Sequence, residues 1–210
     1  MKSVPTSLIA LLLLSVFVLL WSAWQPFEWP TWAAEVAPGI IGTLILAATY
    51  RRFRFTTFCY TLIALHVCIL YVGGHYTYAR VPFFDWLRPI FDWERNHYDR
   101  LGHFAQGFVP AIVARELFVR LDIFKRPRWM PFVIVCVCLA ISGFYELIEW
   151  WAAVLSTTAA ESFLATQGDV WDTQKDIFLA LCGALCALIF FSRFHDSALK
   201  RLHNQGRRIL

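Results

Sequence analysis

Residues 96–116 read NHYDRLGHFAQGFVPAIVARE, a cluster of ionisable side chains running into a segment apolar enough to cross a membrane. Asp99, Arg100 and His103 stand at its start and Glu116 near its far end. Such groups are costly against lipid, so a helix that carries them turns them toward other helices, toward each other or toward water. This stretch therefore decides the fold class, an all-α polytopic membrane bundle, and marks where a site belongs.

Composition agrees with that reading. Of 210 residues 59% are hydrophobic and only 16% charged, with a mean hydropathy of +0.54, which separates the chain from ordinary soluble domains and from disordered ones. Ten Trp and nineteen Phe suit the headgroup level of a bilayer. The formal charge of +4 points to basic loops facing anionic lipid, and no basic patch interleaved with stacking aromatics suggests nucleic acid. All six cysteines fall in apolar runs and read as small buried hydrophobes; Cys136 and Cys138, two apart on a helix, point in different directions.

On either side of the deciding stretch the chain divides into a single membrane domain, 1–210, with spans expected at about 4–24, 34–50, 56–73, 101–118, 129–151 and 175–193. Pro26 and Pro30 read as breakers in the first turn. Gly39 and Gly42 would let span two approach a neighbour closely, and Cys182, Gly183, Cys186 and Ala187 give span six a small-residue face. His66, central in span three, reads as a neutral histidine bonded to a hydroxyl or carbonyl. The connection VPFFDWLRPIFDW (81–93) alternates aromatics with Asp85, Arg88 and Asp92 and reads as short helical turns along the membrane surface, or a lid.

Six spans put both termini on one side. Thirteen of the nineteen Lys and Arg lie there: Lys2, three after span two, four after span four and five in the tail. The excess of positive charge in short loops makes that side cytoplasmic. Of fifteen acids only Glu116, Asp122 and Asp196 fall on the inward half. Arg115 and Glu116 read as a structural pair.

Helical spacing draws the outward acids into pairs. Asp99 with His103 and Asp172 with Asp176 are four apart, and Glu146 with Glu149 three apart, so each pair occupies one helix face. His75, at the end of span three, is expected at the same level. Carboxylates so close repel unless something positive sits among them. Arg100 or Lys175 would serve as ion pairs; a divalent metal held by His75, Asp99, His103, Glu146, Glu149, Asp172 and Asp176 would serve as well. Asp172, and Asn96 or Asp99, are also candidate helix caps. No HExxH motif is present.

The stretches GGHYTYARVP (73–82), NHYDRLGHFAQGFVPA (96–111), RE (115–116), YELIEW (145–150) and GDVWDTQKDI (168–177) resemble the YjdF-like family of small bacterial inner-membrane proteins. The resemblance spans nearly the whole chain and implies a bacterial inner-membrane location and a multi-span architecture, but no mechanism. A looser likeness to VanZ-like membrane proteins rests on Asp99 and His103 in one helix and Asp172 and Asp176 in another, and transfers no role.

The favoured functional expectation is a metal-dependent hydrolase or transferase acting on a lipid or lipid-linked substrate at the outward face. Glu149, Asp176 and Glu146 would do the chemistry, and Arg100 would bind an anionic headgroup. The alternatives are a small transporter or ion-binding protein, which needs polar residues through both halves, and a non-enzymatic assembly subunit whose outward polar layer is an ion-pair network.

Overall fold

The computed structural model describes residues 4–155 and 166–207, and among these the regular structure is helical throughout. Four helices are long and apolar enough to cross a membrane: α2 (Trp29–Thr49), α3 (Thr57–Tyr76), α6 (Met130–Leu155, entered through a 3-10 turn at Pro127–Trp129) and α7 (Asp172–Phe190). α1 (Thr6–Ser22) is equally apolar but has 17 residues. α5 (Tyr98–Arg120) has 23 residues and carries Asp99, Arg100, Arg115, Glu116 and Arg120. Between α3 and α5 lies α4 (Pro82–Phe91), and α7 is followed by α8 (Ser192–Arg207).

The packing order follows from the polarity of α5. α5 packs against α7, α6 and α3, while α1 and α2 lie outside on α3. Asp99, His103, Arg115 and Glu116 on α5 are all buried, so the helix least suited to lipid is enclosed by its neighbours. The outer helices carry the opposite surface: Leu13, Phe17 and Leu20 on α1 and Ile41, Leu44 and Ile45 on α2 are exposed, an apolar belt for acyl chains.

Small residues set the closest crossing. A Cβ on Gly107 of α5 would stand 1.8 Å from the Ala180 carbonyl oxygen of α7, and one on Gly183 of α7 would stand 2.1 Å from that of Phe104. Both obstacles are backbone, so only glycine allows this contact. Gly39 also meets a neighbour, the Tyr71 ring at 2.9 Å, whereas Gly42 has nothing within 4 Å and plays no part in close approach.

Several boundaries differ from the sequence reading for local reasons. α2 begins at Trp29, five residues before the expected 34, because Pro30 falls in its first turn, where proline needs no hydrogen-bond donor. α3 runs on through Gly73 and Gly74 to Tyr76, ending at Thr77 in the left-handed conformation, φ 55°. The 81–93 connection holds one ten-residue helix, α4, with Pro82 in its first turn; Phe83, Trp86, Ile90 and Phe91 are exposed. The basic tail expected after the last span is a helix, α8. Cys136 is exposed and Cys68, Cys182 and Cys186 are half-buried, so only Cys59 and Cys138 are the buried hydrophobes expected.

Candidate metal centre

The acidic end of the bundle gathers the start of α2, the end of α3, the start of α5, the end of α6 and the start of α7. Tyr98 of α5 donates from its hydroxyl to the Ile69 carbonyl of α3 at 3.0 Å, and Tyr145 of α6 donates to Glu35 Oε2 of α2 at 2.7 Å. The first bond ties α5 to α3 and the second ties α6 to α2.

His103 stands at the centre, 5% exposed. Asp99 lies one turn back, Oδ1 3.4 Å from His103 Nε2, and Glu146 lies across on α6, Oε1 3.7 Å from Nδ1. Gln106 Oε1 is 3.3 Å from Nδ1. With Nδ1–H donated to Gln106, a neutral imidazole would offer its Nε2 lone pair to a cation lying between it and Asp99, the tautomer a metal-binding imidazole adopts. Two triplets offer ligand atoms that lie within 4.8 Å of one another: Asp99, His103 and Asp176, and His103, Glu146 and Glu149. Oxygens and nitrogens 2.0–2.3 Å from one ion sit up to about 4.5 Å apart, so small side-chain rotations would bring either triplet onto a cation.

Charge balance is the decisive feature. Glu35, Asp99, Glu146, Glu149, Asp172 and Asp176 are all at most 7% exposed, and the buried basic side chains at this end among the described residues are Arg95 and His103. Arg95 binds Asp172 and lies 3.7 Å from Asp99 and 3.6 Å from Asp169. That leaves Glu35, Glu146, Glu149 and Asp176 with His103 between them. Among the described residues, Glu146 Oε1 and Asp176 Oδ1 are buried without a hydrogen-bond partner. A small cavity of about 20 Å³ opens beside Glu35, Tyr78, Asp99, His103, Tyr145 and Glu149, room for about one water.

Around this centre a polar clamp closes the end of the bundle. Asn96 accepts from the Tyr98 backbone N–H at 3.1 Å and donates to the Val81 carbonyl and to Asp85 Oδ1, both at 3.0 Å, tying α4 to the start of α5. Gln167 pairs with the Asn96 backbone through two bonds of 2.9 Å. Asp169 takes Lys175 at 2.6 Å and Arg100 at 2.9 Å. The Lys175 hydrogen bond, followed by the Trp171 backbone N–H, holds the Asp169 carboxyl below its usual range. Burial, then Arg100, Arg95 and Lys175, pushes the His97 imidazole below its own.

The expected site residues separate as follows. Asp99, His103, Glu146, Glu149 and Asp176 come together. Asp172 is adjacent but committed to Arg95, and the residue before α7 that occupies its cap position is Trp171, so Asp172 does not cap. His75 goes elsewhere: α3 extends past it, and its Nδ1 donates to the Ser22 carbonyl at 3.0 Å while Trp21 covers its ring at 4.6 Å. Arg100 faces Asp169 and keeps 26% of its side chain exposed. His66 has its Nε2 buried with no partner among the described residues, so the expected hydroxyl or carbonyl is not found at that atom.

Three participants escaped sequence reasoning. Arg95 precedes α5 and shares no helical spacing with Asp172. Glu35 of α2 has no partner at helical spacing; its burial and its bond to Tyr145 come only from the packing. At the opposite end, His195 of α8 is fully buried, its Nε2 3.0 Å from Glu116 and its Nδ1 3.1 Å from Arg115. Glu116 also accepts from the Thr56 N–H and hydroxyl, each at 2.7 Å, and from Arg120 at 3.0 Å. Arg115 and Glu116 thus bind α8 and α3 rather than each other.

With the geometry in place, comparison with known proteins assigns the family. A family model described as "Predicted membrane protein (DUF2238)" matches residues 7–197. The chain belongs to the DUF2238 family. Within reach of it is the inner membrane protein YjdF of Escherichia coli (strain K12), 53% identical over 171 residues, covering 81% of this chain and 82% of that protein. No solved structure matches the chain. The DUF2238 match takes in α2 to α7 whole, with most of α1 and the first turn of α8, and so every residue of the acidic-end cluster.

Proposed function

We propose that this DUF2238 protein is a six-span inner-membrane metalloenzyme, both termini cytoplasmic, that hydrolyses or transfers a group on a lipid or lipid-linked substrate at the outward membrane face. A divalent cation held by Asp99, His103 Nε2 and Asp176 is its centre, with Glu146 and Glu149 beside it. The observation that carries this reading is that Glu146 Oε1 and Asp176 Oδ1 are buried with no hydrogen-bond partner among the described residues, in a cluster short of positive charge. Burying carboxylate oxygens short of hydrogen bonds and counter-charge costs several kcal/mol, and a doubly charged ion offsets more of that deficit than His103 alone.

The chemistry follows from the donor set. A cation with three protein ligands keeps an open position for water and lowers that water's pKa to about 7. Glu149 lines the small cavity and serves as the base that takes the proton. That cavity has room for the nucleophile rather than the substrate, so the substrate would meet it at the rim, where Arg100 is partly exposed and the aromatics of α4 reach lipid. An anionic headgroup would compete with Asp169 for Arg100.

The spacing of polar groups speaks against transport. From His103 to Glu116 α5 climbs about 20 Å past Ala111, Ile112, Cys138, Ala184 and Ala187, all fully buried and apolar. The test is substitution of Glu149→Gln and Asp176→Asn, followed by folding, metal content and turnover of candidate lipid substrates. Loss of metal or turnover in folded protein supports the proposal; all three unchanged would remove it. Cation flux through reconstituted proteoliposomes would favour the transport reading instead.

A further inference from the structure

At the basic end, between the first turns of α3 and the outer face of α8, lies a cavity of about 450 Å³ that the acidic-end chemistry does not use. Its volume is that of a ligand pocket rather than a packing defect. Arg54 and Arg201 line it together with the hydroxyls of Thr57 and Thr61, and Phe58 and Phe194 form its apolar wall. Among the described residues no acid lines it and neither arginine pairs with a carboxylate. Arg54 Nε is buried and has no hydrogen-bond partner.

The site is built on a rigid floor. Thr56 bonds twice to the buried Glu116, Glu116 bonds to His195 of α8, and the Phe58 ring meets Phe194 edge-on at 4.8 Å. α3 and α8 therefore hold a fixed separation while two guanidinium groups face the gap with no described acid to neutralise them. Phe194 is 58% exposed, an apolar wall open to the outside of the cavity.

We propose that this cavity binds an anionic glycerophospholipid, its phosphate between Arg54 and Arg201 and its chain along Phe58 and Phe194. Charge complementarity selects an anionic headgroup, guanidinium forks favour phosphate, and basic pockets between membrane helices take such lipids. The apolar wall selects a lipid over a soluble phosphate. This inference does not depend on the metal centre.

The test is native mass spectrometry of the full-length protein in detergent, titrated with phosphatidylglycerol, with phosphatidylcholine and with inorganic phosphate. Wild type is expected to prefer phosphatidylglycerol over phosphatidylcholine, and Arg54→Gln with Arg201→Gln to lose about thirty-fold in phosphatidylglycerol affinity, two surface-arginine contributions. Arg52→Gln with Arg193→Gln removes the same charge outside the cavity and is expected to leave the preference intact. Ala198→Trp fills the cavity without changing charge and is expected to abolish binding, which keeps the test open if the arginine variant fails to fold. Absence of a preference in wild type, equal loss in both arginine pairs, retained binding in Ala198→Trp, or displacement of the lipid by millimolar phosphate would each overturn the proposal.

Discussion

Replacing Gly183 by alanine tests how the site is held together. The new Cβ would stand 2.1 Å from the Phe104 carbonyl oxygen and 2.9 Å from the Phe108 nitrogen. Ordinary contact begins near 3.4 Å, so α7 must move away from α5 by about 1.3 Å, and no side-chain rotation can absorb this because both obstacles are backbone. Overpacking of this kind costs up to about 3 kcal/mol, against about 1 kcal/mol gained by exchanging glycine for alanine in a helix, leaving a net loss of about 2 kcal/mol. Gly143→Ala is the control: nothing lies within 4 Å of its Cβ, so it keeps only the helix gain. The functional consequence is larger than the energetic one. Asp176 sits two turns before Gly183 on the same helix, and metal–ligand distances tolerate about 0.2 Å, so a shift of this size separates Asp176 from Asp99 and His103. Unfolding in mixed detergent micelles and cobalt(II) binding would be read together. Gly183→Ala as stable as Gly143→Ala, with cobalt affinity unchanged, would refute the packing argument.

Other expectations follow from the same contacts. Arg95→Met leaves the buried Asp99 and Asp172 without their cation and should cost about 3–5 kcal/mol, while adding Asp172→Asn should recover part of that loss in a double-mutant cycle; independent, additive losses would contradict the pairing. His195→Ala removes a buried partner of both Glu116 and Arg115 and should destabilise by about 2–4 kcal/mol, read as a lower unfolding midpoint, with the acidic-end metal affinity unchanged. The depressed imidazole of His97 contributes a stability term that is full above its unfolded value, about 6.5, and lost as pH falls through its lower folded value. Between pH 7.5 and 5.5, wild type should therefore lose stability relative to His97→Gln, and parallel curves would count against it.

The acids were legible where helical spacing carried the information. Asp99 and His103, Glu146 and Glu149, and Asp172 and Asp176 each share a helix face by counting alone, and alternation of the helices puts those faces at one end. Spacing says nothing about a residue outside a helix, which is why Arg95 was missed and Arg100 and Lys175 were favoured as counter-ions. It is equally silent on Glu35, whose burial depends on Tyr145, 110 residues away. His75 failed in the opposite sense: its position along the sequence was right for the acidic end, but its direction depended on α3 continuing through two glycines. Gly107 gave no signal, because one glycine in a polar helix reads as a weakness until the facing backbone is known.

The most direct test of the central claim is equilibrium cobalt(II) binding to metal-stripped, detergent-purified protein. One ion per chain is predicted, lost in His103→Gln and Asp176→Asn while both variants keep their helical circular dichroism. No binding by wild type, or the same stoichiometry and affinity in those two variants, would contradict it.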